Sequence, residues 1–196
     1  WNGAAYGKGL TSVKFKNLLR ATATVTLTAT WSSRTDTPYT VKHYLMNTDG
    51  KTFALKDTQN LTGTTATSVT PSVKTYTGFK APAAQTVTIK ADGSTVVEYK
   101  YTRNSFTVTL LPYEGSRGIN ESHIKGADTY FFEQSVTIRV EKVKVHYDFI
   151  GWVTINGQTE TVVSESLEYT FTMPNNALTY YAKSEQIPTA IGLGVL

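Results

Sequence analysis

The chain has 196 residues, of which 40% are hydrophobic and 17% are charged, and its formal net charge is +4. This length allows one large domain or two to three small ones, and the hydrophobic fraction is sufficient for a packed core. The chain contains no cysteine, which excludes disulfide frameworks, thiolate metal sites and cysteine nucleophiles. Lys and Arg are scattered, whereas nucleic-acid binding requires a concentrated basic patch, so we expect no nucleic-acid partner.

The N-terminal residues are predicted to form strands. Residues 12–16 and 23–31 alternate apolar and polar side chains, and threonines fill the polar positions of the second run. Threonine is β-branched and suits a strand with one wet face. Residues 32–38 then contain no apolar residue except proline, which predicts a linker. No segment is apolar for long enough to span a bilayer, and we expect the chain to be a fragment of a longer protein.

A second unit is predicted over residues 38–103. Its first two strands are joined by a turn at residues 47–50, where glycine can adopt a positive φ. The strongest hairpin signal in the chain is Asp92-Gly93 between two alternating runs. A single helical turn is indicated around residues 70–75. The predicted strands of this unit cover residues 39–46, 52–57, 85–90 and 95–101.

A third unit is predicted over residues 104–185. Gly115 to Gly126 is irregular and is predicted to form a loop or one short helix. A long alternating run is predicted to break into two strands near Glu141-Lys142, and a hairpin is predicted around Asn156-Gly157. No helical stripe is sustained anywhere, so the predicted class is all-β, or β-rich α+β with one short helix per unit. The predicted strands cover residues 106–110, 134–147 in two pieces, 150–155, 159–164, 169–173 and 178–183.

Part of the chain occurs twice. Trp1 precedes an Asn-Gly turn and an alternating strand ending in Ala, and Trp152 is followed in the same way by Asn156-Gly157 and a strand that reaches Ala182. A fixed-order duplication is typical of folds built as strings of units. Residues 1–37 are therefore interpreted as half of a unit plus a linker. Packing on the middle unit, pairing with a neighbouring copy and completion by the apolar tail at residues 186–196 stay open for this half.

Two sets of motifs carry family resemblances. The third unit contains Val136-Thr137-Ile138, Tyr147 to Trp152, Tyr169 to Pro174 and Leu178 to Ala182. On these motifs it resembles the internalin-type B-repeats of bacterial surface proteins, including their divergent form, and the N-terminal residues resemble the second half of that repeat. The middle unit contains Tyr39 to Tyr44, Asp49-Gly50-Lys51, Thr77-Gly78-Phe79 and Thr95 to Tyr101. On these it is similar to mucin-binding-protein (MucBP) repeats.

The resemblance implies small β-grasp-like modules in tandem, in an elongated arrangement. It places a MucBP-like module at residues 38–103 and a B-repeat-like module at residues 104–185. Both families imply secreted proteins of Gram-positive and related bacteria, in which such modules serve as stalks or adhesive units. Ser184 stands where the earlier copy has Trp31, so the third unit departs from the repeat at that position.

No candidate chemical group forms a catalytic pattern. His43 and His146 fall in predicted strands and His123 falls in a predicted loop, so we interpret them as ordinary strand or surface residues and not as members of a triad. The carboxylates have the spacing of a solvated face, and the Asp-Gly turns lack the spacing of an EF-hand. We therefore expect no enzymatic activity, no catalytic residue, no metal and no cofactor. A Lys–Asn isopeptide bond stays open.

Aromatic side chains are the remaining candidates for ligand binding. Trp152 is interpreted as a core residue, because it lies near a turn in a unit that is too small to leave it exposed. Tyr113 and Tyr130 fall in irregular stretches and are candidate ligand-binding residues, for example as a platform on which a sugar stacks.

The sequence as a whole predicts a non-catalytic structural or adhesive segment of a bacterial cell-surface protein. The alternatives are a carbohydrate- or mucin-binding module and an accessory β-module of a large secreted enzyme. The expected location is extracellular, with attachment to the cell wall or membrane through regions outside this chain. Expected partners are a host or surface glycan or protein, and neighbouring copies through strand pairing.

Overall fold

The computed structural model describes residues 32–188, and this part of the chain consists of β-strands, connecting loops and one short 3-10 helix. The predicted all-β class is therefore confirmed. The predicted N-terminal half-unit lies mostly in residues 1–31, and most of the predicted apolar tail lies in residues 189–196. Both stretches are outside the described residues.

Residues 37–103 contain six strands: β1 (Thr37–Met46), β2 (Phe53–Gly63), β3 (Ser68–Val69), β4 (Phe79–Lys80), β5 (Val87–Thr88) and β6 (Val96–Arg103). Four of them form a sheet in the order β2-β1-β6-β4, and β3 pairs with β5. The predicted first hairpin is confirmed, because β1 and β2 are antiparallel neighbours. β1 and β6, the first and last strands, are also neighbours and run parallel.

The predicted hairpin around Asp92-Gly93 is wrong, although the turn itself exists. The N–H of Gly93 donates to the carbonyl of Lys90, but β5 pairs with β3 and β6 pairs with β1 and β4. Val97, Tyr99 and Tyr101 of β6 are completely or almost completely buried. A central position between β1 and β4 gives these side chains that burial, and it outweighs the local preference of the turn.

The helical turn predicted at residues 70–75 is also absent. This segment contains no regular element, and two buried tyrosine hydroxyls hold its backbone instead. The hydroxyl of Tyr99 donates to the carbonyl of Pro71 at 2.7 Å, and the N–H of Lys74 donates to the hydroxyl of Tyr101 at 2.9 Å. Tertiary hydrogen bonds thus satisfy backbone groups that a helix would otherwise pair locally.

Residues 105–186 contain a 3-10 helix (Glu121–His123) and eight strands: β7 (Ser105–Pro112), β8 (Ile124–Lys125), β9 (Asp128–Phe131), β10 (Ser135–Val140), β11 (Tyr147–Asn156), β12 (Thr159–Ser164), β13 (Glu168–Thr172) and β14 (Leu178–Gln186). They form a five-stranded sheet in the order β12-β11-β14-β7-β9 and a three-stranded sheet in the order β13-β10-β8. The first and last strands of this half, β7 and β14, are again parallel neighbours.

Several predictions for this half are confirmed. The short helix falls inside the irregular stretch 115–126, and β10 ends at Val140 before the predicted break. The second strand predicted after that break is wrong, because residues 141–146 form a loop and a turn and β11 begins at Tyr147. The β11–β12 hairpin is present, with Asn156 opposite Thr159. Its two turn residues are Gly157-Gln158, of which Gly157 has φ 62°. A positive φ at the first central position is the reason for glycine in a type II′ turn.

Each half has its own hydrophobic core. The core of residues 37–103 contains Tyr99 and Tyr101, and that of residues 105–186 contains Trp152, Ile138 and Met173. Trp152 is completely buried, as predicted, and its ring meets that of Phe149 edge to face at 5.9 Å.

The carboxylate of Asp49 accepts three hydrogen bonds within the turn between β1 and β2. It accepts the N–H groups of Lys51 and Thr52 at 2.9 Å and the Thr52 hydroxyl at 2.5 Å. The Thr52 hydroxyl is the largest cause, and the two N–H groups the next, that lower the pKa of Asp49 from 3.8 to about 2.

A lowered pKa in the folded state means that the unfolded chain binds the proton more readily. The carboxylate therefore stabilises the fold above pH 3.8, and this contribution disappears as the pH falls to about 2. We expect Asp49→Asn to be less stable than wild type at neutral pH, in urea unfolding followed by circular dichroism, and the difference to vanish near pH 2. A difference that is independent of pH would show that the charge of Asp49 does not stabilise the turn.

Candidate functional site

The outer face of the five-stranded sheet carries a continuous row of apolar side chains. Val162, Val153, Tyr181 and Leu111 are lateral neighbours on β12, β11, β14 and β7. They point away from the core because successive residues of a strand face opposite sides, and Trp152, Ala182 and Leu110 face the core. Val162 is 44% exposed, whereas Val153 is completely buried.

An ion pair crosses this outer row. The ammonium of Lys183 lies 2.7 Å from a carboxylate oxygen of Glu160. Lys183 stands two positions after Tyr181 on β14, and Glu160 stands two positions before Val162 on β12. These two strands flank β11, which carries Val153. The pair therefore spans Val153, which explains the burial of that side chain on an outer face. Lys183 is the main cause that lowers the pKa of Glu160, and Glu160 in turn raises the pKa of Lys183.

Tyr113, one of the predicted ligand-binding residues, lies beside this ion pair. The ammonium of Lys183 lies 4.7 Å from the centre of its ring, and the ring of Tyr181 meets it edge to face at 6.5 Å. The neighbouring carboxylate of Glu160 raises the pKa of Tyr113. One face of the ring is therefore covered by a cation, so that face is closed to a stacking sugar.

Tyr130, the other predicted ligand-binding residue, lies on the opposite face of the same sheet. It stands beside Phe106 across β7 and β9 and packs against the core. Its hydroxyl donates to the carbonyl of Gly126 at 2.8 Å. The structure therefore does not bring Tyr113 and Tyr130 into one site.

His43 lies in strand β1, as predicted, but it is completely buried within a hydrogen-bonded chain. Its Nδ1 is 2.9 Å from the hydroxyl of Tyr101 and its Nε2 is 3.0 Å from Oε1 of Gln59. An amide oxygen can only accept, so Nε2 is the donor in the bond to Gln59. The Tyr101 hydroxyl also accepts the N–H of Lys74. Both ring nitrogens of His43 therefore make hydrogen bonds within the fold.

The other two histidines are on the surface side of the fold. His123 ends the 3-10 helix. His146 was predicted to lie in a strand, but it precedes β11 and adopts φ 67°. The prediction was wrong because the alternating run continues in the sequence through a tight turn, in which the N–H of Tyr147 donates to the carbonyl of Lys144.

Several hydrogen bonds lie at the junction between the two halves. One residue, Asn104, separates β6 from β7. Its N–H donates to the carbonyl of Gly78, and its carbonyl accepts the N–H of Phe132, both at 2.9 Å. The backbone of the first half is thus tied to that of the second through the linker itself.

Arg103 also connects the two halves at this junction. Its Nε donates to the carbonyl of Met46 at 2.9 Å in the first half. One terminal nitrogen donates to the carbonyl of Phe132 at 2.8 Å and to the carboxylate of Glu133 at 2.6 Å in the second. The guanidinium also lies 4.7 Å from the ring of Phe79. Only 10% of the arginine side chain is exposed, so water competes little for these bonds.

Two glycines of the first half allow the second half to pack closely against it. Gly50 and Gly78 have φ values of 66° and 80°, which favour glycine. A Cβ on Gly50 would overlap the ring of Phe131, and a Cβ on Gly78 would overlap that of Phe132. The two turns that carry these glycines form the surface on which the bend after β9 is seated. We call this set of contacts, centred on Arg103 and Asn104, the joint.

The sequence predicts a turn at Gly50 and contains Gly78 in a family motif, but no sequence pattern predicts the joint. Arg103 appears in the sequence as a polar residue at the end of a strand, and its partners Met46 and Phe132 are distant along the chain. Three of its four hydrogen-bonding and stacking partners are backbone carbonyls or an aromatic ring. Such partners leave no charge pattern in the sequence.

Comparisons with known proteins give no family for the chain: no protein-family model, no curated protein and no solved structure matches it significantly. Within residues 32–188, no group of three or more acidic, histidine or cysteine side chains is placed to hold a metal ion. The described residues also include no helix that is long and apolar enough to cross a membrane.

Proposed function

We propose that this chain is a non-catalytic structural segment of a bacterial cell-surface protein, in which the halves 37–103 and 105–186 are small β-grasp-like modules that act as one rigid unit. The joint supports the rigid coupling of the two halves, whereas the cell-surface location rests on the family resemblance of the sequence motifs. A connection that served only to link two independent modules would be polar, longer and free of buried contacts. Here the connection is a single residue, and Arg103 bonds to both sides of it.

The topology of the two halves supports the same proposal. In each half the first and last strands lie side by side and parallel, β1 with β6 and β7 with β14. This arrangement fits the β-grasp-like modules that the resemblance to MucBP repeats and B-repeats implies. Because the first and last strands of each half are parallel, the chain enters at one end of the strand pair and leaves at the other. Modules of this kind can therefore be joined end to end. A fixed joint then sets the spacing and orientation of whatever the segment presents.

The rigidity of the joint can be tested in solution. We expect the residual dipolar couplings of backbone amides in residues 37–103 and 105–186 of the full chain to fit one alignment tensor of a single magnitude. This result follows if the bonds of Arg103 and Asn104 hold both halves in one orientation. Tensors of clearly different magnitude would show that the halves reorient independently and would contradict the proposed rigid segment.

A further inference from the structure

We infer that each half of the chain is a mechanical clamp that resists tension applied along the chain, and that the two clamps are connected in series. The inference deepens the proposed structural function and rests on it for its biological purpose. The observation behind it is the parallel pairing of the first and last strands in both halves. Thr40 to Leu45 of β1 pair with Val96 to Tyr101 of β6, and Val108 to Pro112 of β7 pair with Leu178 to Ala182 of β14.

Parallel pairing decides how tension acts on the hydrogen bonds. Tension through the chain pulls β1 toward its N-terminal end and β6 toward its C-terminal end. Because the strands are parallel, these ends lie at opposite ends of the pair, and the force slides one strand along the other. All the cross-strand hydrogen bonds then share the force at once. A hairpin pulled at its open end would instead lose them one at a time.

Side chains strengthen the first clamp. The His43–Tyr101 hydrogen bond of 2.9 Å and the Tyr44–Glu98 hydrogen bond of 3.2 Å both join β1 to β6. β1 lies between β2 and β6, so sliding it out also breaks its ladder with β2. The sliding would expose Val41, which is completely buried, so the transition state for rupture loses hydrogen bonds and apolar burial together.

The second clamp has the same construction. β7 and β14 lie inside the five-stranded sheet, each with a neighbour on both sides. Their core-facing side chains Val108, Leu110 and Tyr180 are buried. Sliding of this pair would therefore also remove apolar side chains from the core that contains Trp152.

The joint connects the clamps without slack. β6 ends the first clamp and β7 begins the second, with Asn104 alone between them. Tension that leaves β6 therefore passes directly into β7. Since forced unfolding is governed by the unfolding barrier, two clamps in series resist tension until the weaker one ruptures.

Because the chain has no cysteine, the clamp can be tested by pulling on one molecule in two directions. Thr102 and Thr62 are both exposed threonines near strand ends, and Asp36 is exposed just before β1. The variant with Asp36→Cys and Thr102→Cys, held at the two thiols in single-molecule force spectroscopy, slides β1 along β6. The variant with Asp36→Cys and Thr62→Cys, held in the same way, peels β1 from β2, because Pro38 stands opposite Thr62.

We expect the sliding geometry to require a rupture force several-fold higher than the peeling geometry, with both variants equally stable to urea. Equal stability shows that the difference comes from the direction of pulling. Equal rupture forces in the two geometries would overturn the inference. This measurement stays within the first half, so its failure is distinct from a failure of the rigid joint, which the alignment tensors test separately.

Discussion

Trp152→Ala is expected to destabilise residues 105–186 by about 3–5 kcal/mol, which is the usual range for removing a large aromatic side chain from a core. Trp152 is completely buried and contacts Phe149. A small β unit has only about 5–15 kcal/mol of total stability, so this loss takes a large part of it. The measurement is urea unfolding of the full chain, with near-ultraviolet circular dichroism as the signal for tertiary packing.

Two further variants test whether the loss of stability comes from the packing of Trp152. Trp152→Phe is expected to lose less, because it keeps an aromatic ring and removes the indole N–H, which is buried without a hydrogen-bond partner. Val145→Ala changes a side chain that is 80% exposed and is expected to alter stability by at most about 0.5 kcal/mol. If Trp152→Ala unfolded at the same urea concentration as Val145→Ala, the packing of this core would not depend on the tryptophan.

Local patterns in the sequence predicted the elements of this fold better than their partners. The alternating runs of β1, β6, β10 and β14 were all recognised, because a strand with one buried face has a period of two whatever it pairs with. The β11–β12 hairpin was recognised too, since a glycine turn and two flanking strands are consecutive in the sequence. The parallel pairs β1–β6 and β7–β14 join strands far apart in the chain, and nothing in either strand alone specifies its neighbour.

The hairpin predicted around Asp92-Gly93 shows again that a local pattern does not specify which strands pair. The turn was correct, but β6 gains more by entering the middle of a sheet than by pairing with β5. Burial of Val97, Tyr99 and Tyr101 is a property of the assembled half. Tertiary burial of this kind routinely outweighs a local turn preference, because each large apolar side chain contributes about 1.5–3 kcal/mol when it leaves water.

The sequence predicted the same role for two tyrosines that the structure places in different surroundings. Tyr113 does lie at a half-exposed position, beside Tyr181 and the Glu160–Lys183 pair. These partners come from two separate strands, β12 and β14, that only the folded sheet aligns with the end of β7. Tyr130 has the same residue type and a comparable sequence context, yet its strand turns it toward the core. Which face an aromatic residue takes follows from strand register, and the sequence around these tyrosines did not determine the register.

Arg103→Ala is expected to destabilise the full chain by about 2–4 kcal/mol, because it leaves the carbonyls of Met46 and Phe132 without their charged donor and removes the contact with Phe79. Loss of the coupling should also separate the unfolding of the two halves into two transitions in urea, which amide-resolved NMR can assign. Arg139→Ala is the matched control, since its bridge to Glu141 is exposed at both ends and should contribute at most about 1 kcal/mol. If Arg103→Ala unfolded in one transition at the midpoint of Arg139→Ala, the buried guanidinium would not be what holds the two halves together.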